Sequence, residues 1–176
     1  MRILIATPLF PPDVADPAPY IKTLAARLSE DCGVTVLLYG KLPETAERAR
    51  LYPVPKELPA PLRLAIFTIR LLSLGYAHDV VLIENGIAAE LPALIASFLF
   101  PKRIILHLSD TKVLYGGWRK RVHERLAAHV RMLPDLSAPV RPEILPFEPY
   151  PAEEMRRYEE SWVKHLAALR TELNHE

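Results

Sequence analysis

The chain has 176 residues, half of them hydrophobic, and a formal net charge of +1 at pH 7. This length predicts a single domain with a sizeable core, and the near-zero charge argues against disorder and against a nucleic acid partner. The single cysteine, Cys32, excludes an internal disulfide and predicts a reducing, cytoplasmic setting. The apolar run after Arg2 is too short for a signal peptide, and no run approaches the ~20 apolar residues that cross a bilayer.

The first stretch, residues 3–20, reads ILIATPLFPPDVADPAPY and predicts a strand, a loop and a helix in succession. Ile3 to Ala6 form a short apolar run, which is typical of a strand covered on both faces of a parallel sheet. Prolines then end the strand, because proline supplies no hydrogen-bond donor to a sheet. From Tyr20 onward the apolar residues recur at helical spacing. This pattern is the first half of a βαβ unit, and α/β sheets bind ligands beyond the carboxyl ends of such strands.

The later elements continue to alternate. Strands are predicted at 34–39, 80–84 and 104–108, with a short edge strand at 52–55. Helices are predicted at 62–76, 87–100, 118–130 and 153–173. This order predicts an α/β fold, a Rossmann-like three-layer sandwich with a mainly parallel sheet and a long C-terminal helix. The expected division is a domain over 1–133, a proline-rich connection over 134–152, and a helix over 153–176 that packs back on the domain.

The segment ATPLFPPD at 6–13, followed by PAPYIKTLAARLSEDCGVTVLLYG, resembles the opening of the N-terminal, acceptor-side domain of group 4 retaining glycosyltransferases, which have the GT-B fold. The resemblance covers residues 1–130 and is specific at the first strand and loop. It implies a single GT-B-type half, since no second Rossmann domain follows Leu133. Where the family usually has two glycines, this chain has Ala15 and Asp16, and an acid there would repel a nucleotide-sugar diphosphate. A loop acid or a helix cap is the other interpretation of Asp16.

Two candidate catalytic residues, His107 and Asp110, lie at the end of the 104–108 strand. The resemblance implies that a histidine in this region faces the donor sugar. An imidazole oriented by a carboxylate also suits acid–base or hydrogen-bonding chemistry. The alternative is a core histidine with satisfied hydrogen bonds and an aspartate that caps the next turn. Strand alternation places His107 on the opposite face from its two leucine neighbours, so it need not reach the cleft.

Six further residues form the predicted acceptor site: Pro12, Asp13, Asp16, Tyr20, Glu84 and Asn85. The resemblance implies that Glu84 and Asn85 line the acceptor cleft, and a plain Asn85–Gly86 turn is the alternative. The loop acids would accept hydrogen bonds from an acceptor hydroxyl, unless they are only solvated.

Helix 62–76 is hydrophobic almost all round but has two arginines on one face, and helix 118–130 is amphipathic and basic. Basic amphipathic helices also occur at anionic lipid surfaces. The residues expected at such a surface are Arg63, Arg70, Arg119, Lys120 and Arg121. A core helix with a solvated basic face is the alternative. The resemblance implies a sugar or a lipid-linked acceptor, and lipid binding would place the protein peripherally at the inner membrane face.

The sequence has no metal-ligand spacing and no GxGxxG, GxxxxGK[ST] or GxSxG motif. We therefore expect no metal and no cofactor, and a sugar nucleotide only if a partner supplies the donor domain. Three hypotheses stay open. The chain is the acceptor-binding half of a split or oligomeric glycosyltransferase, completed by a separate donor-domain chain or as a homodimer, and inactive alone. Otherwise it is a non-catalytic binding or scaffold module, or a small independent enzyme that uses His107 and Asp110.

Overall fold

The computed structural model describes residues 1–13, 18–41, 43–99, 103–107, 117–133, 139 and 152–174. Its strands are β1 (Arg2–Thr7), β2 (Gly33–Tyr39), β3 (Arg50–Val54), β4 (Val80–Glu84), β5 (Arg103–His107) and β6 (Arg131–Met132). Its helices are α1 (Ala18–Leu28), α2 (Ala60–Tyr76), α3 (Ile87–Leu99), α4 (Trp118–His129) and α5 (Ala152–Asn174).

The strands form one six-stranded sheet in the order β3-β2-β1-β4-β5-β6, and every neighbouring pair is parallel. The chain builds outward from β1 to β3 and then returns to the other side of β1 for β4. The crevice beyond the carboxyl ends of β1 and β4 is therefore the topological switch point, where open α/β sheets bind their ligands. The predicted Rossmann-like α/β fold with a parallel sheet is confirmed.

The central strands are buried almost without interruption. All five residues of β4 are buried, as are five of the six in β1. Consecutive burial requires cover on both faces of the sheet, which explains why these strands read as continuous apolar runs rather than as alternating patterns. Helix α1 contributes the predicted apolar face to this core, with Ile21, Leu24, Ala25 and Leu28 buried.

Tyr39 connects three elements on one side of the sheet. Its ring stacks on Phe67 of α2, with ring centroids 4.4 Å apart. Its hydroxyl donates a hydrogen bond of 3.0 Å to the carbonyl oxygen of Ala88, in the first turn of α3. Packing in the core thereby fixes the beginning of α3, the helix that follows the carboxyl end of β4.

The chain forms two compact units, Met1–Pro134 and Asp135–Glu176, and α5 belongs to the second. The predicted domain boundaries and the packing of the terminal helix on the domain stay predictions. Strand β6 was not predicted, because two residues are too short to give a sequence pattern. Within the described residues, no helix combines the length and the apolar character needed to cross a bilayer.

Gly86, between β4 and α3, has a backbone conformation and a close neighbour that a residue with a side chain would not tolerate without strain. Its φ is +144°, and a Cβ atom added there would lie 2.9 Å from Cγ of Pro8. We expect Gly86→Ala to lower the free energy of unfolding by about 2–4 kcal/mol, through backbone strain and overpacking. Urea denaturation measures this loss.

Gly33→Ala is the matched control, since an added Cβ would meet Cγ of Arg2 at an ordinary distance of 3.5 Å. We expect that variant to lose no stability. Equal losses in the two variants would contradict the close approach of Pro8 to Gly86.

Candidate functional site

Glu84 and His107 are paired side chains at the carboxyl ends of adjacent strands. They are the last residues of β4 and β5 and are direct partners in the sheet register, so their side chains lie on the same face. Oε2 of Glu84 lies 3.0 Å from Nδ1 of His107, and the two side chains are 0% and 3% exposed. The backbone N–H of Asn85 also donates to the carbonyl oxygen of His107 at 3.0 Å. The ends of β4 and β5 are therefore joined by side chain and by backbone.

Tyr20 approaches the other side of the imidazole from α1. Its hydroxyl lies 3.4 Å from Nε2 of His107, and the two rings stack with centroids 5.5 Å apart. Burial raises the pKa of the Tyr20 hydroxyl, and the nearby charge of Glu84 raises it further. The phenol therefore stays protonated at physiological pH and can donate a hydrogen bond. We call these three side chains the Glu84–His107–Tyr20 row.

A second carboxylate–imidazole pair lies next to this row. Glu90, in the first turn of α3, is completely buried, and its Oε1 lies 3.1 Å from Nδ1 of His123 in α4. The same oxygen accepts a hydrogen bond of 3.1 Å from the backbone N–H of Gly86. The N-terminus of α3 is thus capped by a carboxylate of its own helix, so a phosphate at this position would meet negative charge.

Asp13, in the loop after β1, accepts hydrogen bonds from Lys56 and from the backbone of Phe10. Nζ of Lys56 donates to both of its carboxylate oxygens, at 2.7 and 2.6 Å, and the backbone N–H of Phe10 donates to one of them. Pro12 precedes it in a cis peptide bond with Pro11 and is exposed. Lys56 therefore pairs with the charge of Asp13. The predicted contact of Asp13 with an acceptor stays a prediction.

The structure brings together three of the predicted site residues, Tyr20, Glu84 and His107, with Asn85 beside them. Asp16 and Asp110 lie outside the described residues, so the predicted His107–Asp110 pairing stays a prediction. The sequence did not indicate the pairing of His107 with Glu84 or of His123 with Glu90. The only signal for the first is that both residues end apolar strands, and that signal becomes a contact only through the sheet register.

The predicted lipid-facing arginines of α2 bind backbone carbonyls. Arg63 donates to the carbonyl oxygen of Lys56, and Arg70 donates to that of Pro53. On α4, Arg119, Lys120 and Arg121 are exposed, and Nζ of Lys120 lies 3.7 Å from a carboxylate oxygen of Glu124. Membrane contact stays a prediction, and co-sedimentation with anionic vesicles tests it, since an unchanged supernatant fraction would refute it.

No group of three or more His, Cys, Asp or Glu side chains in the described part of the chain is arranged to hold a metal ion. The carboxylate, imidazole and phenol groups of the Glu84–His107–Tyr20 row are all able to form hydrogen bonds.

No protein-family model and no curated protein sequence matches the chain. Similar solved structures include crystal structures of HepE from Anabaena in complex with UDP, with UDP-glucose, and with UDP and glucose. Their TM-scores are 0.55, 0.54 and 0.55, at sequence identities of 18%, 17% and 17%. Each match covers 74% of this chain and only 36% of the HepE chain. The likeness shows a Rossmann-like α/β fold, which is the fold class that the sequence predicted.

Proposed function

We propose that this chain is the acceptor-binding half of a GT-B-type glycosyltransferase related to group 4, and that a sugar hydroxyl binds at the Glu84–His107–Tyr20 row. The observation that carries the proposal is the position of this row. Its carboxylate and imidazole end β4 and β5, and its phenol is on the helix that follows β1. The row therefore borders the switch point, where α/β folds bind ligands.

The chemistry of this region favours a hydroxyl over a phosphate. Carboxylate, imidazole and phenol groups exchange hydrogen bonds with hydroxyls, and the row contains no Lys or Arg to bind a diphosphate. The nearby N-terminus of α3 is already capped by Glu90. These features support an acceptor role for this chain. A separate donor-domain chain would then supply the sugar nucleotide.

Sugar binding by the full chain tests this proposal. Glucose, galactose, mannose and N-acetylglucosamine are each titrated into the labelled protein, and the amide and imidazole signals of the row are followed by NMR. We expect at least one of these sugars to shift those signals, and UDP-glucose to bind no more tightly than free glucose. His107→Ala is expected to weaken the binding by about tenfold, because one hydrogen-bonding partner is lost.

The matched control is His129→Ala. His129 is exposed on α4, and its Nδ1 bonds the carbonyl oxygen of Arg125 in its own helix. This variant should bind sugar as the wild type does. Tighter binding of UDP-glucose than of any free sugar, or no shift with any sugar in the panel, would refute an acceptor site in this row.

A non-catalytic binding or scaffold module is the second candidate function. The near-complete burial of Glu84 and His107 favours it, because buried polar pairs also occur where they only join elements of a fold. Under this candidate, His107→Ala lowers the stability of the protein and leaves the binding of any sugar unchanged.

A further inference from the structure

We propose that Glu84 is a positioning residue that holds His107 in the tautomer whose Nε2 accepts hydrogen bonds. We also propose that the Tyr20 hydroxyl, in the absence of ligand, makes the contact with Nε2 that a ligand hydroxyl makes when it binds. The first part concerns the protein alone. The second part rests on the proposed function and deepens it, since it identifies the ligand group at the row as a hydrogen-bond donor.

The role of Glu84 follows from the chemistry of the buried pair. Oε2 of Glu84 lies 3.0 Å from Nδ1, and an ionised carboxylate only accepts hydrogen bonds, so the proposal places the proton on Nδ1. In the neutral imidazole, Nε2 then carries a lone pair. The sheet register fixes both backbones, and neither side chain can turn toward water. Glu84 thereby leaves the nitrogen that faces Tyr20 without a proton.

The role of Tyr20 follows from its distance and its exposure. Its oxygen lies 3.4 Å from Nε2, which is longer than the ~2.8–3.0 Å of a typical hydrogen bond. Such a contact is weak and readily exchanged. Tyr20 is also the partly exposed member of the row, whereas Glu84 and His107 are buried. A ligand hydroxyl would therefore reach Nε2 from the side of Tyr20 and take over the bond that the phenol now makes.

Nitrogen chemical shifts of the His107 ring in the ¹⁵N-labelled chain test the first part. We expect Nδ1 to be protonated and Nε2 to be unprotonated in the wild type. Glu84→Leu removes the acceptor and should populate the tautomer with a proton on Nε2. Glu84→Gln retains a carbonyl acceptor and should restore the wild-type tautomer. A protonated Nε2 in the neutral ring of the wild type would overturn the role of Glu84, even if Glu84→Leu does not fold.

Tyr20→Phe tests the second part, because it removes the competing hydroxyl and keeps the aromatic ring. We expect the affinity for the sugar that binds the wild type best to rise about threefold to tenfold. A fall in affinity would overturn the proposal, since Tyr20 would then bind the ligand itself. If neither protein binds any sugar of the panel, the proposed function and the role of Tyr20 fail together. The ring tautomer decides the role of Glu84 in every case.

Discussion

Phe67→Ala is expected to lower the free energy of unfolding by about 3–5 kcal/mol, as is typical of a large aromatic side chain lost from a core. Phe67 is completely buried in α2, where its ring packs against Tyr39. Domains of this size have a total stability of about 5–15 kcal/mol, so this variant should be marginally folded at best. Urea denaturation followed by circular dichroism measures the change.

Ile69→Ala is the matched control for Phe67→Ala, because Ile69 lies two residues further along the same helix and is 65% exposed. We expect it to change the stability by less than about 0.5 kcal/mol. Similar losses in the two variants would contradict the described packing face of α2.

The loss of the Phe67 side chain should also loosen the backbone next to the candidate site. Tyr39, on which Phe67 packs, donates a hydrogen bond to the Ala88 carbonyl in the first turn of α3. That turn follows Asn85 and Gly86 directly, so a displaced Tyr39 would loosen the end of the crevice. Relative to the wild type, Phe67→Ala should speed the exchange of backbone amides with solvent more at the beginning of α3 than at its end.

The fold could be predicted because its strongest signals are local. The strands β1 and β4 are covered on both faces, so their burial is visible as unbroken apolar runs. The apolar spacing in α1 and α2 likewise indicates helices whatever they pack against. A two-residue strand such as β6 has no such pattern, and only its pairing with β5 defines it.

The candidate site could be predicted only in part, because its contacts depend on register and topology. The ends of apolar strands indicated Glu84 and His107, and the predicted pairing of His107 with Asp110 stays a prediction because Asp110 lies outside the described residues. The structure pairs His107 with residues 23 and 87 positions away. The partner of Asp13 could not be predicted either, since Lys56 is 43 residues away in the sequence. Single side chains are identifiable from sequence, whereas their partners are set by the strand order.

Alkaline pH is expected to destabilise the protein through Tyr39, which is buried, and Tyr20, which is partly buried. Burial raises the pKa of Tyr20, and the charge of Glu84 adds to the increase. Burial also raises the pKa of Tyr39, although the Arg63 guanidinium opposes the increase. Since both native values lie above the unfolded value of 10.0, the native state keeps protons that the unfolded chain has lost.

The stability contributed by these two phenols is therefore fully present below pH 10 and is lost as the pH rises above it. In that range, each tyrosine should lower the free energy of unfolding by about 1.4 kcal/mol per pH unit. Urea denaturation between pH 8 and about 11 measures the slope, and comparison among variants removes the contribution of the lysines, which titrate in the same range. Tyr20→Phe should reduce the slope by one tyrosine and Tyr20→Phe/Tyr39→Phe by two. Slopes equal to that of the wild type would mean that water reaches both phenols in the native state, which would contradict the burial of the two hydroxyl groups.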